Sequence, residues 1–241
     1  MNNVTKLLKS SIPQYTLTLP LTGKRVKYRP FLVKEEKVLL LALEEADDEM
    51  ILDAIKNLIE SCCPQIEDAG EIPLLDFQYL FLNIRAKSVG EKTKPQITDP
   101  HTKEKITLDI DITKIKPKVP KDFTNKIPLT PDVGVTLTPP TLNMSASTIS
   151  FTDGREPKVS EVLKLLYKCV IEIYTKDEII ETKDLTGQEL NDFFDSLTSQ
   201  QLAKITDYFE QIPELSYKVK YKTSDGKERS FIIEGIDSFF G

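Results

Sequence analysis

The sequence feature that most restricts the fold is a dense set of prolines in the middle of the chain. Eight of the 15 prolines lie in residues 91–144. Helices are disfavoured there because proline lacks a backbone N–H and clashes with the preceding turn. Residues 106–113 alternate between apolar and polar side chains, which predicts a half-buried strand, and residues 133–137 predict another. We therefore expect residues 91–144 to form a proline-rich β insert.

The residues before the insert predict a β-hairpin followed by three helices. Residues 14–29 alternate, turn and alternate again, as in a hairpin. The first helix opens at Val33 and its leucines are apolar on nearly every face, so we expect it to be buried on more than one side. A second helix follows, capped by residues 46–49 (ADDE) and ending at Pro64, and a third is expected to begin at Asp76, with this aspartate as its N-cap.

The residues after the insert predict three helices and a second hairpin. An apolar stripe at helical spacing runs from Val159 to Val170. Thr186 and Thr198 each begin a capping box in front of a further helix. Alternation then resumes at Leu215, and Asp225-Gly226 is a strong hairpin turn. The whole pattern predicts an α+β protein, packed as one or two globular units, with three regions: 1–90, 91–144 and 145–241.

The composition excludes several classes of protein. The net charge of -6 favours solubility and argues against extensive nucleic-acid binding. Three cysteines, two of them adjacent, suggest no disulfide framework and favour reduced thiols in a cytosolic compartment. Since no apolar run reaches the roughly 18 residues of a membrane span, and no apolar signal segment follows the first residues, we expect no membrane association.

Residues able to carry out catalysis are scarce. The single histidine, His101, sits in a predicted surface turn without an evident orienting partner. Cys62 and Cys63 end one helix and Cys169 lies in another, which favours buried thiols over metal ligands. Asp109 and Asp111 share one face of a strand; we interpret them as solvated, the alternative being an acid–base pair. We therefore expect no enzymatic activity, no cofactor and no metal.

The remaining features favour protein binding. Every charged residue before Glu35 is basic, which fits either a solvated hairpin or docking onto an acidic partner. The edges of the two predicted hairpins could be extended by a strand from a partner. Phe239 and Phe240 either fold back onto the core or anchor another subunit.

Three segments carry a resemblance to a known family. They are Tyr28–Lys37 (YRPFLVKEEK), Phe77–Glu91 (FQYLFLNIRAKSVGE), and a C-terminal pattern of FEQIPEL at 209–215, a hairpin, and EGIDSFF at 234–240. In order and spacing they resemble the baseplate proteins of T4-like contractile-tailed bacteriophages, over almost the whole chain. The resemblance implies a role in building the tail baseplate hub, with other hub or tape-measure proteins as partners and with no bond chemistry.

The resemblance also bears on site residues and zinc. Within the matching segments, aromatic residues are expected in the core, and the candidates for partner contacts or internal ion pairs are Lys34, Glu35, Glu36, Arg85 and Lys87. Some relatives carry cysteine pairs in the middle and C-terminal hairpins, like small zinc ribbons. The corresponding turns here, 98–102 and 223–227, contain no cysteine, so we predict no zinc and expect turn residues to hold these hairpins alone.

Three functional hypotheses follow. The first is a chaperone-like hub assembly factor acting in the host cytoplasm and absent from, or minor in, the finished particle. The second is a structural hub subunit retained in the virion tail baseplate. The third is a hub-associated cell-wall hydrolase, for which no recognisable catalytic carboxylate pair is visible. The sequence leaves the direct partner, the stoichiometry and the oligomeric state open.

Overall fold

Helices and short strands follow one another in separate runs, and the strand pairs of the described residues are antiparallel, which confirms the predicted α+β class. The computed structural model describes residue 8 and residues 11–45, 47–146, 158–213 and 215–234. Within them lie seven helices and twelve strands. The chain forms two units, each considered by itself below. The first takes its described residues from Met1–Ala69, Leu75–Lys118 and Glu214–Gly241, and the second from Gly70–Leu74 and Val119–Pro213.

The N-terminal hairpin and the helices after it follow the sequence prediction closely. Strands β1 (Tyr15–Thr18) and β2 (Arg25–Tyr28) pair antiparallel. They are followed by three helices, α1 (Val33–Glu45), α2 (Asp48–Cys62) and α3 (Leu74–Ser88). Asp47 caps α2, because its carboxylate accepts a 3.0 Å hydrogen bond from the backbone N–H of Met50. This is the helix start that the sequence predicts.

Asp76 does not cap α3, so the predicted helix start is wrong. The aspartate lies inside the helix, which begins at Leu74. Its buried carboxylate accepts hydrogen bonds from the backbone N–H groups of Leu21 (2.8 Å) and Thr22 (3.0 Å) and from the Thr22 hydroxyl (2.7 Å). The turn between β1 and β2 thus supplies the donors that a helix N-terminus would have supplied. Asp76 holds the turn onto α3.

The strand predicted over residues 106–113 is divided in the structure. Strands β3 (Lys92–Thr93), β4 (Gln96–Thr98), β5 (Lys105–Thr107) and β6 (Ile110–Asp111) form two antiparallel pairs, β4 with β5 and β3 with β6. The chain leaves the extended conformation after Asp111, whose carboxylate accepts hydrogen bonds from the N–H (3.0 Å) and hydroxyl (2.5 Å) of Thr113. This local bond favours the 3-10 turn over Ile112–Lys114 instead of a continued strand.

The C-terminal hairpin completes the core of the first unit. Strands β11 (Ser216–Lys222) and β12 (Glu228–Glu234) pair antiparallel, and the turn between them contains Gly226 at φ 77. This confirms the predicted hairpin. Buried apolar side chains of α3, of the segment containing β6 and of the two C-terminal strands form one cluster: Leu75, Leu82, Ala86, Leu108, Ile110, Ile112, Ile115, Leu215, Val219, Tyr221 and Ile233.

The second unit is built on a four-stranded antiparallel sheet with the order β10-β9-β8-β7. Its strands are β7 (Lys126–Pro128), β8 (Val133–Leu137), β9 (Val170–Thr175) and β10 (Ile179–Glu181). Its helices are α4 (Leu142–Ala146), α5 (Val159–Cys169), α6 (Gly187–Asp195) and α7 (Ser199–Glu210). Both predicted capping boxes are present, at Thr186 and Thr198. Val170, which the sequence assigned to the helical stripe, instead begins β9.

None of the helices in the described ranges is both long enough and apolar enough to cross a membrane.

Candidate functional site

The charged residues predicted as contacts begin at the first turn of α1. Glu35 is only 7% exposed, and its Oε1 lies 3.2 Å from Nη2 of Arg29. Its Oε2 accepts a 2.6 Å hydrogen bond from the backbone N–H of Leu32. Burial by itself raises the pKa of Glu35, but the hydrogen bonds from Arg29 and Leu32 outweigh it and lower the pKa below its ordinary value. The structure therefore places Glu35 in an internal ion pair.

Arg29 connects this ion pair to the end of α2. Its Nη2 donates a 2.9 Å hydrogen bond to the carbonyl of Ser61, and its backbone N–H donates a 3.0 Å hydrogen bond to the carbonyl of Cys62. The last turn of α2 contains no basic residue of its own, and a cation beside exposed helix carbonyls is stabilising. Arg29 thus supplies the positive charge that this helix end lacks.

Lys34 and Glu36 lie closer to solvent than Glu35. Lys34 is 72% exposed, and its ammonium lies 3.1 Å from Oε1 of Glu35. Glu36 is half-buried. Because an exposed lysine pair contributes little to stability, Lys34 can exchange its partner at small cost. These two side chains remain accessible to another molecule.

Arg85 and Lys87, at the last turn of α3, contact groups in their own neighbourhood. Arg85 is half-buried, with Nη2 3.4 Å from the hydroxyl of Thr93, and burial lowers its pKa. Lys87 lies 2.5 Å from Oε1 of Glu91 and 5.3 Å from the ring centroid of Tyr15. The hydrogen bond to Glu91 raises the pKa of Lys87. Both cations thus connect the end of α3 to adjacent parts of the chain.

A set of apolar side chains on α1 is exposed, contrary to the expectation that this helix is buried on more than one side. Glu35, Leu39 and Ala42 form its buried strip. By contrast, four apolar side chains of α1 are between 52% and 65% exposed: Val33, Val38, Leu40 and Leu41. The prediction was wrong because apolar residues on every face allow a helix to be buried on several sides but do not require it. In the described part of this chain, other elements pack against one side of α1.

A buried carboxylate joins the middle turn to the C-terminal hairpin. Asp99 is fully buried, and its Oδ1 accepts hydrogen bonds from the backbone N–H groups of His101 (3.0 Å) and Thr102 (2.7 Å). Oδ2 accepts a 2.7 Å hydrogen bond from the hydroxyl of Tyr221. Nη1 of Arg229 lies 2.9 Å from Oδ1 and is itself mostly buried. One side chain thus fixes its own turn and holds both strands of the hairpin.

Further contacts join the same two turns. Nη2 of Arg229 lies 2.8 Å from Oδ2 of Asp225, within the C-terminal turn. On the other side, Glu104 accepts a 3.2 Å hydrogen bond from the backbone N–H of Ser224 and a second bond from the Ser224 hydroxyl. Neither turn contains a cysteine. In this chain, hydrogen bonds and ion pairs hold them together.

The Asp99 carboxylate has the wrong properties for acid–base chemistry. Burial by itself raises the pKa of Asp99, but the hydrogen bonds from Thr102, Tyr221 and His101 outweigh it and hold the pKa far below its ordinary value. A general acid or base needs a pKa near the working pH and access to a substrate. Asp99 has neither, and its geometry is that of a structural charge.

The three cysteine thiols are not activated as nucleophiles. Cys62, Cys63 and Cys169 are all buried and free, and burial raises the pKa values of Cys62 and Cys169 to about 12. Since the thiolate is the reactive form, these thiols are poor nucleophiles. His101 is exposed. Across the described ranges, no group of three or more His, Cys, Asp or Glu side chains is placed to hold a metal ion.

The N-terminal hairpin presents its basic residues to solvent. Lys24, Arg25 and Lys27 are exposed, whereas Val26 and Tyr28 are buried. This alternation follows from the two-residue period of a strand with one covered face. The hairpin therefore carries a group of cations on its open side.

One predicted pair is not described by the structure, and three residues of the site were not predicted. Phe239 and Phe240 lie outside the described residues. Asp99, Tyr221 and Arg229 were not singled out from the sequence. An aspartate at 99 followed two and three residues later by donors is a local turn signal that the sequence did offer. Its pairing with residues more than 120 positions away had no such signal.

Comparison with known proteins gives one family and one curated relative. The family described as "T4 bacteriophage base plate protein" matches residues 12–241. The chain is 22% identical over 231 residues to the baseplate hub assembly protein gp26 of Enterobacteria phage T4, in an alignment that covers 94% of this chain and 98% of that protein. No solved structure matches the chain.

Proposed function

Because the chain belongs to the T4 bacteriophage base plate protein family, we propose that it is a non-enzymatic protein-binding factor that promotes assembly of the phage tail baseplate hub. The observation that carries the proposal is the extent of the match: 94% of this chain aligns with 98% of a hub assembly protein. The alignment includes residues of both units, so nearly all of the relative's sequence has a counterpart in this chain. In this proposal the protein acts in the host cytoplasm.

The non-enzymatic part of the proposal is supported by the state of the chemistry-bearing groups. The buried thiol of Cys62 has a pKa raised to about 12, and Asp99 is closed off by its own donors. Neither group is available to a substrate. These observations favour binding over catalysis. For a glycosidase, which uses a pair of accessible carboxylates, Asp99 is not a candidate.

We propose other hub proteins or the tape-measure protein as partners, with the cations of the N-terminal hairpin as a contact. Lys24, Arg25 and Lys27 are exposed on one hairpin, in a chain whose net charge is -6. A local basic group on an acidic protein orients it toward an acidic patch of a partner and speeds their association. A binding factor that must be released later benefits from such a salt-sensitive contact.

A second candidate is a structural subunit retained in the baseplate of the virion. The family description itself names a base plate protein, and this favours the candidate to the same degree. The two candidates differ in whether the chain remains in the finished particle. Both candidates would bind the same partners, and neither would catalyse a reaction.

The test is affinity purification of the tagged chain from infected cells, with mass spectrometry of the proteins that copurify. We expect hub or tape-measure proteins with the wild type and their loss with Arg25→Glu/Lys27→Glu. The matched control is Lys218→Glu/Lys222→Glu, which makes the same charge change at exposed positions of β11 and should retain them. Finding the chain in purified virions at a fixed copy number would support the subunit candidate instead.

Two results would contradict the proposal. The first is recovery of no baseplate protein with the wild-type chain. The second is hydrolysis of purified peptidoglycan by the purified chain, which would establish an enzyme.

A further inference from the structure

One face of α1 combines exposed apolar side chains with charges of opposite sign at its two ends. Val38 is 52% and Leu41 62% exposed, and they lie three residues apart. Lys34 lies four residues before Val38, and Glu45 four residues after Leu41, and both are exposed. Spacings of three and four place all four side chains on one side of a helix. We refer to Lys34, Val38, Leu41 and Glu45 as the α1 seam.

The charges of the α1 seam oppose the helix dipole. Of the two acids in the first turn, Glu35 is buried and Glu36 lies two residues from Lys34, on the opposite side of the helix. Lys34 therefore stands near the positive N-terminal end, and Glu45 stands at the negative C-terminal end, with no basic residue in the last turn. Each of these charges is stabilised by a helix that runs in the opposite direction, because that helix brings the other sign to each end.

We infer that the α1 seam docks antiparallel onto the α1 seam of a second copy of this chain. In a two-fold arrangement centred between Val38 and Leu41, Val38 of each copy faces Leu41 of the other. The same symmetry brings Lys34 of each copy to Glu45 of the other. These residues are separated by about 16 Å along the helix at 1.5 Å per residue, so both ends pair at once. A parallel arrangement would set lysine against lysine and glutamate against glutamate, and is disfavoured.

The surface beside the seam has room for the partner's side chains. A groove between α1 and α2 is lined by Lys34, Glu35, Val38, Ala54, Asn57, Leu58 and Ser61, with a volume of about 190 Å³. Ala54 and Leu58 form its apolar floor. Since an apolar cavity of about 150 Å³ can hold a benzene-sized group, this groove can receive a leucine side chain.

Docking leaves the buried ion pair intact. Lys34 lies 3.1 Å from Glu35 but is 72% exposed, so its ammonium can turn to a partner carboxylate. Glu35 keeps Arg29 at 3.2 Å. The inference does not rest on the proposed function, since it concerns a contact between copies of this chain. One helix face per copy is a small interface, so we expect a dissociation constant on the order of 10 µM.

The first test is sedimentation velocity of the full chain over a concentration series that spans roughly a hundredfold around that value. We expect a monomer–dimer equilibrium, and we expect Leu41→Lys to weaken it by about tenfold or more. Ile179→Lys is the matched control, because Ile179 is also 62% exposed and lies on β10. It should leave the equilibrium unchanged. Thermal melts of both variants should match the wild type, since each replaced side chain is exposed.

The second test fixes the direction of the helices. Lys34→Glu/Lys37→Glu leaves only acidic residues at both ends of the seam, and Glu44→Lys/Glu45→Lys leaves only basic ones. Each variant alone should remain monomeric, whereas an equimolar mixture should form a heterodimer with opposite charges at both ends. Rescue on mixing is a result that a general loss of stability cannot produce.

Three outcomes would overturn the inference. One is a chain that stays monomeric throughout the series, and another is a dimer that Leu41→Lys leaves unchanged. The third is a monomer whose capture of hub proteins is lost with Leu41→Lys, which would assign the seam to a different partner. The capture of hub proteins is tested with other variants, Arg25→Glu/Lys27→Glu in the hairpin. A failure of the dimer can therefore be distinguished from a failure of the proposed function.

Discussion

The hydroxyl of Tyr221 donates a 2.7 Å hydrogen bond to the buried carboxylate of Asp99, across 122 residues of sequence. It connects the turn before β5 to the C-terminal hairpin, and Arg229 reaches the same carboxylate. The first unit therefore depends on a contact between its middle and its end. Removal of single members of this network should have graded effects.

Replacement of Tyr221 by Phe should lower the midpoint temperature of thermal unfolding by about 2–4 °C, because the buried carboxylate loses one donor while the ring remains. Replacement of Asp99 by Asn should lower it further, since Arg229, which is mostly buried, then keeps only Asp225 as a counter-charge. Circular dichroism melts measure both. Tyr217→Phe, the same change on the same strand, is the control, and an equal effect of the two Tyr→Phe changes would count against the network.

Acid should destabilise the protein through Asp99. Its folded-state pKa lies below the ordinary value near 4, so between the two values the unfolded chain binds the extra proton. The stabilisation is therefore complete above the unfolded pKa and is lost as pH falls from about 4 toward the folded value. Urea titrations at pH 7, 4 and 3 should show a decline in the free energy of unfolding that is smaller in Asp99→Asn. An identical decline in both proteins would exclude this source.

Asp76 should contribute more to stability than the helix cap predicted from the sequence. Asp76→Ala removes the buried acceptor of three hydrogen bonds and leaves the backbone N–H groups of Leu21 and Thr22 without that partner, so it should cost roughly 2–3 kcal/mol. Thr22→Val removes one donor from the same carboxylate and should cost about 1 kcal/mol. Chemical denaturation gives both values. Equal losses would show that the backbone bonds contribute nothing.

Glu35 and Lys34 are neighbours in sequence but should contribute very differently to the stability of the protein. Glu35→Gln breaks the ion pair with Arg29 in a largely buried place and should cost roughly 1–3 kcal/mol. Lys34→Ala removes a side chain that is 72% exposed and should change the free energy of unfolding by less than about 0.5 kcal/mol. Denaturant unfolding compares the two. A destabilising Lys34→Ala would contradict the view that this lysine is held for a partner.

The parts of the fold that the sequence predicted are those set by local chemistry. Thr186 and Thr198 each form a capping box with a residue three positions later, a glutamate in the first case and a glutamine in the second. Both residues of each capping box lie within one helical turn. The C-terminal hairpin follows from alternation around Gly226, whose positive φ suits the turn. In these cases, every group that decides the structure lies within a few residues.

The parts that were missed depend on groups far apart in sequence. Val170 continues a helical apolar stripe, yet it pairs with Leu137 in the sheet of the second unit. Likewise, the leucines of α1 would allow burial on several sides of the helix. How many sides are buried depends on which other elements pack against it. Asp76 could have capped a helix, but the N–H groups of Leu21 and Thr22 occupy its carboxylate.

The order in which the ribosome delivers the chain gives the arrangement of the first unit a further consequence. Tyr221 and Arg229 follow Asp99 by 122 and 130 residues, so the carboxylate leaves the exit tunnel long before its partners. At about 5–20 residues per second this delay lasts roughly 6–26 s. Of the second unit, Gly70–Leu74 precede Asp99, and the remaining described residues are all synthesised within that interval. These residues can fold before the C-terminal hairpin of the first unit has been synthesised. The order of synthesis therefore favours folding of the second unit before the first is complete.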